Sequence, residues 1–244
     1  MAFAGVRDCP SHPAMSSQYG QDQFALRILG GLREGFFLDS GASDGVSCSN
    51  TLLLERAYGW RGVCVEPNLS FFAELERNRR CICVNCCLYD RDTTVDFIEA
   101  HTISGIVDEY DPSLLKQVNA MFGMAEGGPP PTVKRTARSV RSILQASSAP
   151  RIIDYWSLDT EGSEIRILKS FPIEEYAFRV LTVEHNWLPV RDQIRRFLEA
   201  HGYRRVAELG CDDGYVLEAQ VSQEGLISLP SWRSRAWSRR KPIA

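Results

Sequence analysis

The chain has 244 residues, 44% of them apolar, enough to bury a sizeable core in one large domain or one domain with insertions. Its formal net charge of −3 excludes a general attraction to nucleic acid or anionic membrane. No apolar run approaches the ~20 residues needed to span a bilayer, so no transmembrane segment is expected.

Residues 1–16 form an N-terminal segment with no sustained hydrophobic region, hence no signal peptide, and cytoplasmic residence is the expectation. A helix is predicted over 17–32, with Phe24, Leu26, Ile28 and Leu29 on its apolar side. Residues 35–39 read as a first buried strand, running into the small-residue loop Ser40-Gly41-Ala42-Ser43-Asp44-Gly45. Ser49 or Asn50 can cap a helix that ends at Tyr58, and Gly59 is placed to close it. Strand Arg61 to Glu66, helix Leu69 to Arg80 and strand Cys81 to Asn85 follow. A short strand, Thr94 to Ala100, is expected outside the parallel core.

Residues 104–135 break the rhythm. The Gly/Pro-rich stretch Ala125 to Pro131 can form neither helix nor central strand, so this segment reads as an insertion or lid. Pattern resumes with a helix at Ser139 to Gln145, a buried strand at Ile152 to Asp159, a short helix at Ser163 to Ser170 and a buried strand at Arg179 to Glu184. A strongly patterned helix, Arg191 to His201, precedes an antiparallel hairpin of Tyr203 to Glu208 and Tyr215 to Ala219, turned by Gly210 to Gly214. Residues 230–244 form a basic C-terminal tail.

Alternating strands and helices give an α/β fold with a mostly parallel, doubly wound sheet. The chain then divides into the 1–16 segment, one domain over 17–229 and the tail. The eight cysteines include four between Cys81 and Cys87. Alternation puts Cys81, Cys83 and Asn85 on one strand face, as apolar filling. Cys83-x-x-Cys86 offers half a zinc site, but no second Cys/His pair follows at finger-like distance. A disulfide framework is not expected in a chain of this length without a secretory signal.

In an open α/β sheet, ligands bind beyond the carboxyl ends of the strands. Those ends carry Asp39 and the Gly41–Gly45 loop, then Glu66 with Pro67, then Cys86, Cys87 and Leu88, then Asp159 with Glu161, and finally Glu184, His185 and Asn186. Glu66 follows the loop by about twenty residues, where an acidic side chain takes ribose hydroxyls. Pro67, Cys86, Cys87 and Leu88 would flank a base. Asp39 and Asp44 would repel a pyrophosphate and attract an ammonium and a sulfonium, which points to S-adenosylmethionine rather than a dinucleotide.

The chain resembles the FkbM family of S-adenosylmethionine-dependent methyltransferases. The likeness is carried by Ser17-Gln18-Tyr19-Gly20-Gln21-Asp22, Phe37-Leu38-Asp39-Ser40-Gly41-Ala42-Ser43-Asp44-Gly45, Ser49-Asn50-Thr51, Val65-Glu66-Pro67 and Leu158-Asp159-Thr160-Glu161-Gly162-Ser163-Glu164. It implies a class I methyltransferase fold of seven strands, mostly parallel with an antiparallel C-terminal hairpin. It also implies O-methylation of a small, sugar-like or natural-product hydroxyl. By position it assigns Asp39, Gly41, Asp44 and Asn50 to the methionine end of the cofactor and Glu66 to the ribose. Ala42 and Ser43 belong to the same loop, and Gln18, Gln21 and Asp22 would cover the cofactor.

Methyl transfer to a hydroxyl needs an acceptor aligned in line and a base for its proton. His185 is the most natural base by its reference pKa, with Asp159, Glu161 and Glu184 as alternatives. Asp159, Glu184 and Asn186 could instead gather around a divalent metal, which is not the favoured reading. A non-catalytic module on the same fold is the alternative to an enzyme. The sequence leaves the acceptor and the oligomeric state open.

Overall fold

The structure, a computed structural model, describes residues 17–125 and 130–218. Both the 1–16 segment and the 230–244 tail therefore lie outside the described residues. In chain order the elements are α1 (Gln21–Ile28), β1 (Phe36–Ser40), α2 (Leu52–Tyr58), β2 (Arg61–Val65), α3 (Leu69–Asn78), β3 (Ile82–Val84), β4 (Cys87–Tyr89), β5 (Thr93–Ile98) and β6 (Gly105–Ile106). There follow α4 (Pro112–Ala125), β7 (Thr132–Ser139), α5 (Val140–Ala146), β8 (Ile152–Leu158), α6 (Glu164–Ser170), β9 (Ala177–Glu184), α7 (Val190–Ala200), β10 (Tyr203–Leu209) and β11 (Asp212–Leu217).

Seven strands form one sheet in the order β10-β11-β9-β8-β1-β2-β3. All neighbours are parallel except β11, which runs antiparallel to both β9 and β10. The doubly wound sheet with its antiparallel C-terminal hairpin is thus present. β1 and β8 are buried along nearly their whole length, because helices cover both faces of a parallel sheet. One core layer contains Trp156, Phe178 and Leu181; the other contains Phe37, Tyr155 and Val180. The chain crosses to opposite sides of β1, toward β2 and toward β8, and a crevice opens beyond the strand ends at that switch.

Helix signals read from the sequence are realised with small shifts. Gly59 closes α2 in a left-handed conformation. Ser49 caps it from outside, its Oγ accepting the Leu52 N–H at 3.1 Å. The helix expected over 17–32 is shorter, since Gly20 at its start and Gly30 and Gly31 past its end take positive φ. The hairpin turn is Gly210-Cys211 alone; Asp212, Asp213 and Gly214 belong to β11, paired with β9.

The largest departure concerns 104–135, whose described residues are largely built into regular elements. It supplies β6, α4 and the start of β7, and with β4 and β5 it builds a second sheet in the order β4-β7-β5-β6. The physical reason is a separate apolar cluster, in which Ile98, Ala100, Tyr110 and Val118 are buried together. Pro112 at the first helical position, preceded by an Asp111 whose carboxylate accepts the Ser113 N–H at 2.8 Å, is the start signal for α4. Part of the Gly/Pro stretch, 126–129, lies outside the described residues. The strand expected at Thr94 to Ala100 is β5, outside the parallel core as anticipated. Among the described residues Cys48 is disulfide-bonded, against expectation, and the other six cysteines are free.

Candidate active site

A cleft opens at the carboxyl ends of β1, β2 and β8 and is closed on its far side by the second sheet. Its tightest point is Gly41, which sits at φ +84° against the chain leaving β8. A Cβ there would lie 1.9 Å from the Asp159 carbonyl oxygen. The N–H groups of Gly41 and Ala42 both donate to Val65 O, at 3.0 and 3.1 Å, so the glycine loop is pinned to the end of β2. Only a residue without a side chain allows three strand ends to converge here.

Asp39 is buried beneath this loop, its Oδ2 accepting the Thr51 hydroxyl at 2.5 Å. Burial pushes its pKa up to about 6, against the opposing pull of Arg79 and the Thr51 hydrogen bond. Glu66 is also buried. Its Oε2 accepts the Ser43 N–H and its Oε1 the Asn68 N–H, each at 2.8 Å. Burial pushes its pKa up to about 7, partly offset by those two donors. Arg79, which sequence reasoning missed, supports the floor: its guanidinium donates to Thr51 Oγ1 at 2.9 Å and pairs with Glu55 at 2.6 Å.

Asn50 lines the cleft and donates from Nδ2 to Ser157 Oγ at 2.8 Å. Gln21 also lines it, held by a bond from Nε2 to Asp212 Oδ2 at 2.8 Å. Gln18, Ala42, Ser43, Pro67, Cys87 and Leu88 reach the same space. Three residues expected on the cofactor side do not. Asp44 turns back into its own loop, accepting the Val46 and Ser47 N–H groups. Asp22 is wholly buried, accepting the Ser17 hydroxyl, and Cys86 is packed in the core beside Leu88.

Asp159 and Glu161 line the cleft from β8. Glu161 is 4% exposed at φ +58°, and its Oε2 accepts Asn186 Nδ2 at 3.2 Å. Glu184 lies behind them, buried; one carboxylate oxygen from each of Asp159, Glu161 and Glu184 falls within 4.8 Å of the others. Such a group could hold a hard cation. Asn186 presents its amide nitrogen to Glu161, so it is not oriented as an oxygen ligand there.

His185 is not among the cleft-lining residues. Its Nδ1 accepts the Trp187 N–H at 3.0 Å, so in the neutral ring the proton sits on Nε2. Nε2 lies 3.8 Å from Asp213 Oδ1, on the side where Arg191 and Arg205 also bind Asp213. Burial pushes the His185 pKa down despite that carboxylate. The histidine facing the cleft is instead His101, at φ +52° on the turn between β5 and β6, with Thr102, Ser104, Phe97 and Ile106 around it. That wall was hidden in the sequence inside a segment read as insertion.

The seven-stranded order with one antiparallel strand, and a glycine-loop cleft at its switch point, define a Rossmann-like methyltransferase. The chain belongs to the FkbM methyltransferase family: the model of the methyltransferase FkbM domain matches residues 39–205. That membership implies S-adenosylmethionine as methyl donor. No curated protein matches the chain. Among solved structures, the precorrin-6y C5,15-methyltransferase of Geobacter metallireducens GS-15 is similar at 12% identity and TM-score 0.43, covering 87% of this chain and 95% of its own. The methyltransferase FkbM of Methylobacillus flagellatus KT is similar at 14% identity and TM-score 0.43; the match covers 75% of this chain and 43% of that one. The N-terminal domain of human METTL16 is similar at 11% identity and TM-score 0.41, with 80% and 66% covered.

Proposed function

We propose that the protein transfers a methyl group from S-adenosylmethionine to a hydroxyl of a small acceptor. One observation carries the reading. Asp39, Glu66, Asp159 and Glu161 line the cleft, and no Lys or Arg does so among the described residues. An ammonium and a sulfonium are drawn into such a site, whereas a pyrophosphate would be repelled by several kcal/mol at low dielectric.

The residues fit the donor at both ends. Asn50 Oδ1 is buried with no hydrogen-bond partner among the described residues, and so offers an acceptor to the amino-acid ammonium. Asp39 adds the counter-charge. Glu66 keeps a second lone pair on each carboxylate oxygen for ribose hydroxyls. Pro67, Cys87 and Leu88 flank the base, and Gln21 closes over the methionine end. Bound S-adenosylmethionine supplies an electrophilic methyl on a cationic sulfur. The chain's own work is to hold the acceptor oxygen in line and remove its proton. Asp159 is the cleft carboxylate we assign to accept that proton. Glu161, fixed by Asn186, orients the hydroxyl, and Thr102 and Ser104 bind the acceptor from the opposite wall. His185 acts at one remove, bracing the loop that carries Asn186.

Calorimetry with S-adenosylmethionine, its demethylated product and NAD tests the donor, and preferential binding of NAD would overturn it. Turnover of methyl-labelled donor over a panel of hydroxylated small molecules, run with and without chelator, tests acceptor class and metal independence. Label found only on an RNA oligomer, or on carbon, would refute the acceptor assignment. Donor binding with no acceptor ever labelled would favour a non-catalytic module.

A further inference from the structure

Behind the cofactor floor lies a group of thiols that methyl transfer does not use. Asp39 on β1, Cys64 on β2 and Cys83 on β3 are register partners across three parallel strands, so their side chains share one face. Cys81, two residues before Cys83, returns to that face. Its sulfur lies 3.5 Å from that of Cys64, across 17 residues of chain. The cysteines were read from the sequence as apolar filling, and Cys64 is indeed wholly buried, but Cys81 is only partly buried.

We infer that Cys64 and Cys81 form a peroxide-sensitive dithiol that closes to a disulfide beside Asp39. The geometry supports each requirement. The two sulfurs are already in contact, and a movement of about 1.5 Å brings them to bonding distance. Cys81 is the partner that solvent can reach. It is also the one more readily ionised: the neighbouring Cys64 and Cys83 thiols, with Arg79 nearby, push its pKa below the usual thiol range. Cys64 keeps its proton, because burial pushes its pKa up. A thiolate that is partly exposed next to a resolving thiol is the arrangement of redox-responsive cysteines.

The chemistry balances with hydrogen peroxide as oxidant. The Cys81 thiolate attacks one peroxide oxygen, the O–O bond breaks and hydroxide leaves, taking up the proton that Cys81 gave up on ionising, and a sulfenic acid results. The Cys64 sulfur then attacks the sulfenic sulfur, the S–O bond breaks, and the Cys64 proton leaves with the oxygen as water. Two thiols and one peroxide become one disulfide and two waters.

The test uses the full chain treated with hydrogen peroxide, alkylated, digested and sequenced by tandem mass spectrometry. The expected result is a Cys64–Cys81 cross-linked peptide lacking two hydrogens, both thiols lost to alkylation and restored by dithiothreitol. In Cys64→Ala the same treatment should leave a Cys81 sulfenic acid that dimedone traps. Cys64 and Cys81 remaining alkylatable after oxidation would overturn the proposal. So would a Cys81–Cys83 bond, or oxidation of Cys81 straight to sulfinic acid in the wild type. The wild-type map stands whether or not the variant folds.

Discussion

Glu66 Oε2 accepts the backbone N–H of Ser43 at 2.8 Å, so the end of β2 holds the glycine loop by a charge-assisted bond. The carboxylate is thereby both a strut for the loop and the group we assign to the ribose. Glu66→Ala should weaken S-adenosylmethionine binding by about 1–3 kcal/mol. Calorimetry measures this directly, and unchanged affinity would remove Glu66 from the binding site.

Gly41 admits no other residue. A Cβ would meet the Asp159 carbonyl at 1.9 Å, and φ +84° strains any L side chain. Gly41→Ala should lose at least ~1–2 kcal/mol of stability from the left-handed backbone alone. The displaced Asp159 should cost most of the donor affinity as well. Thermal unfolding and calorimetry read the two effects separately; a variant as stable and as tight-binding as wild type would contradict the convergence of β1 and β8.

The pH dependence has a definite sign. Asp39 rises from 3.8 to about 6 and Glu66 from 4.5 to about 7 on folding, both mainly through burial. The folded state therefore retains protons that the unfolded chain has already lost. These two groups cost no stability below their unfolded values, and their penalty grows as pH rises through the window up to about 7. Donor affinity should run the other way, rising across the upper part of that window as the carboxylates ionise. Glu66→Gln should flatten both trends; equal slopes in the variant and wild type would show that Glu66 does not titrate there.

Asp159 and His185 make opposite predictions. Asp159→Asn should lower kcat ~10²–10⁴-fold if its carboxylate takes the acceptor proton. His185→Gln should leave the pH profile of kcat in place, since that ring faces Asp213 outside the cleft. A profile that loses its acidic limb in His185→Gln alone would return the base to the histidine.

Much of the cleft lining near the glycine loop was legible because its residues are local. Asp39, Gly41, Glu66 and Asp159 each end or follow an apolar run, and the strand-end rule places them together without knowledge of side-chain direction; Asn50, ahead of α2, came from the family resemblance. Direction is what the pattern could not supply. Asp44 and Asp22 are acidic residues in the expected segments, but their carboxylates satisfy nearby N–H and O–H groups. His185 sits at the right strand end with its ring on the wrong side. The wall of His101, Thr102 and Ser104 was missed for a different reason. Strand β7 pairs with β5 over sequence separations that no local period encodes, and two-residue β6 carries no period at all.

Phe97 and Ile106 are directly opposed across β5 and β6, and both reach the cleft. Their ladder belongs to the four-stranded sheet, which exchanges no strand with the seven-stranded one beneath the glycine loop. The two halves of the cavity thus rest on separate foundations. Reshaping residues 97–106 would recut that wall of the cavity while the backbone bonds under the glycine loop stayed where they are.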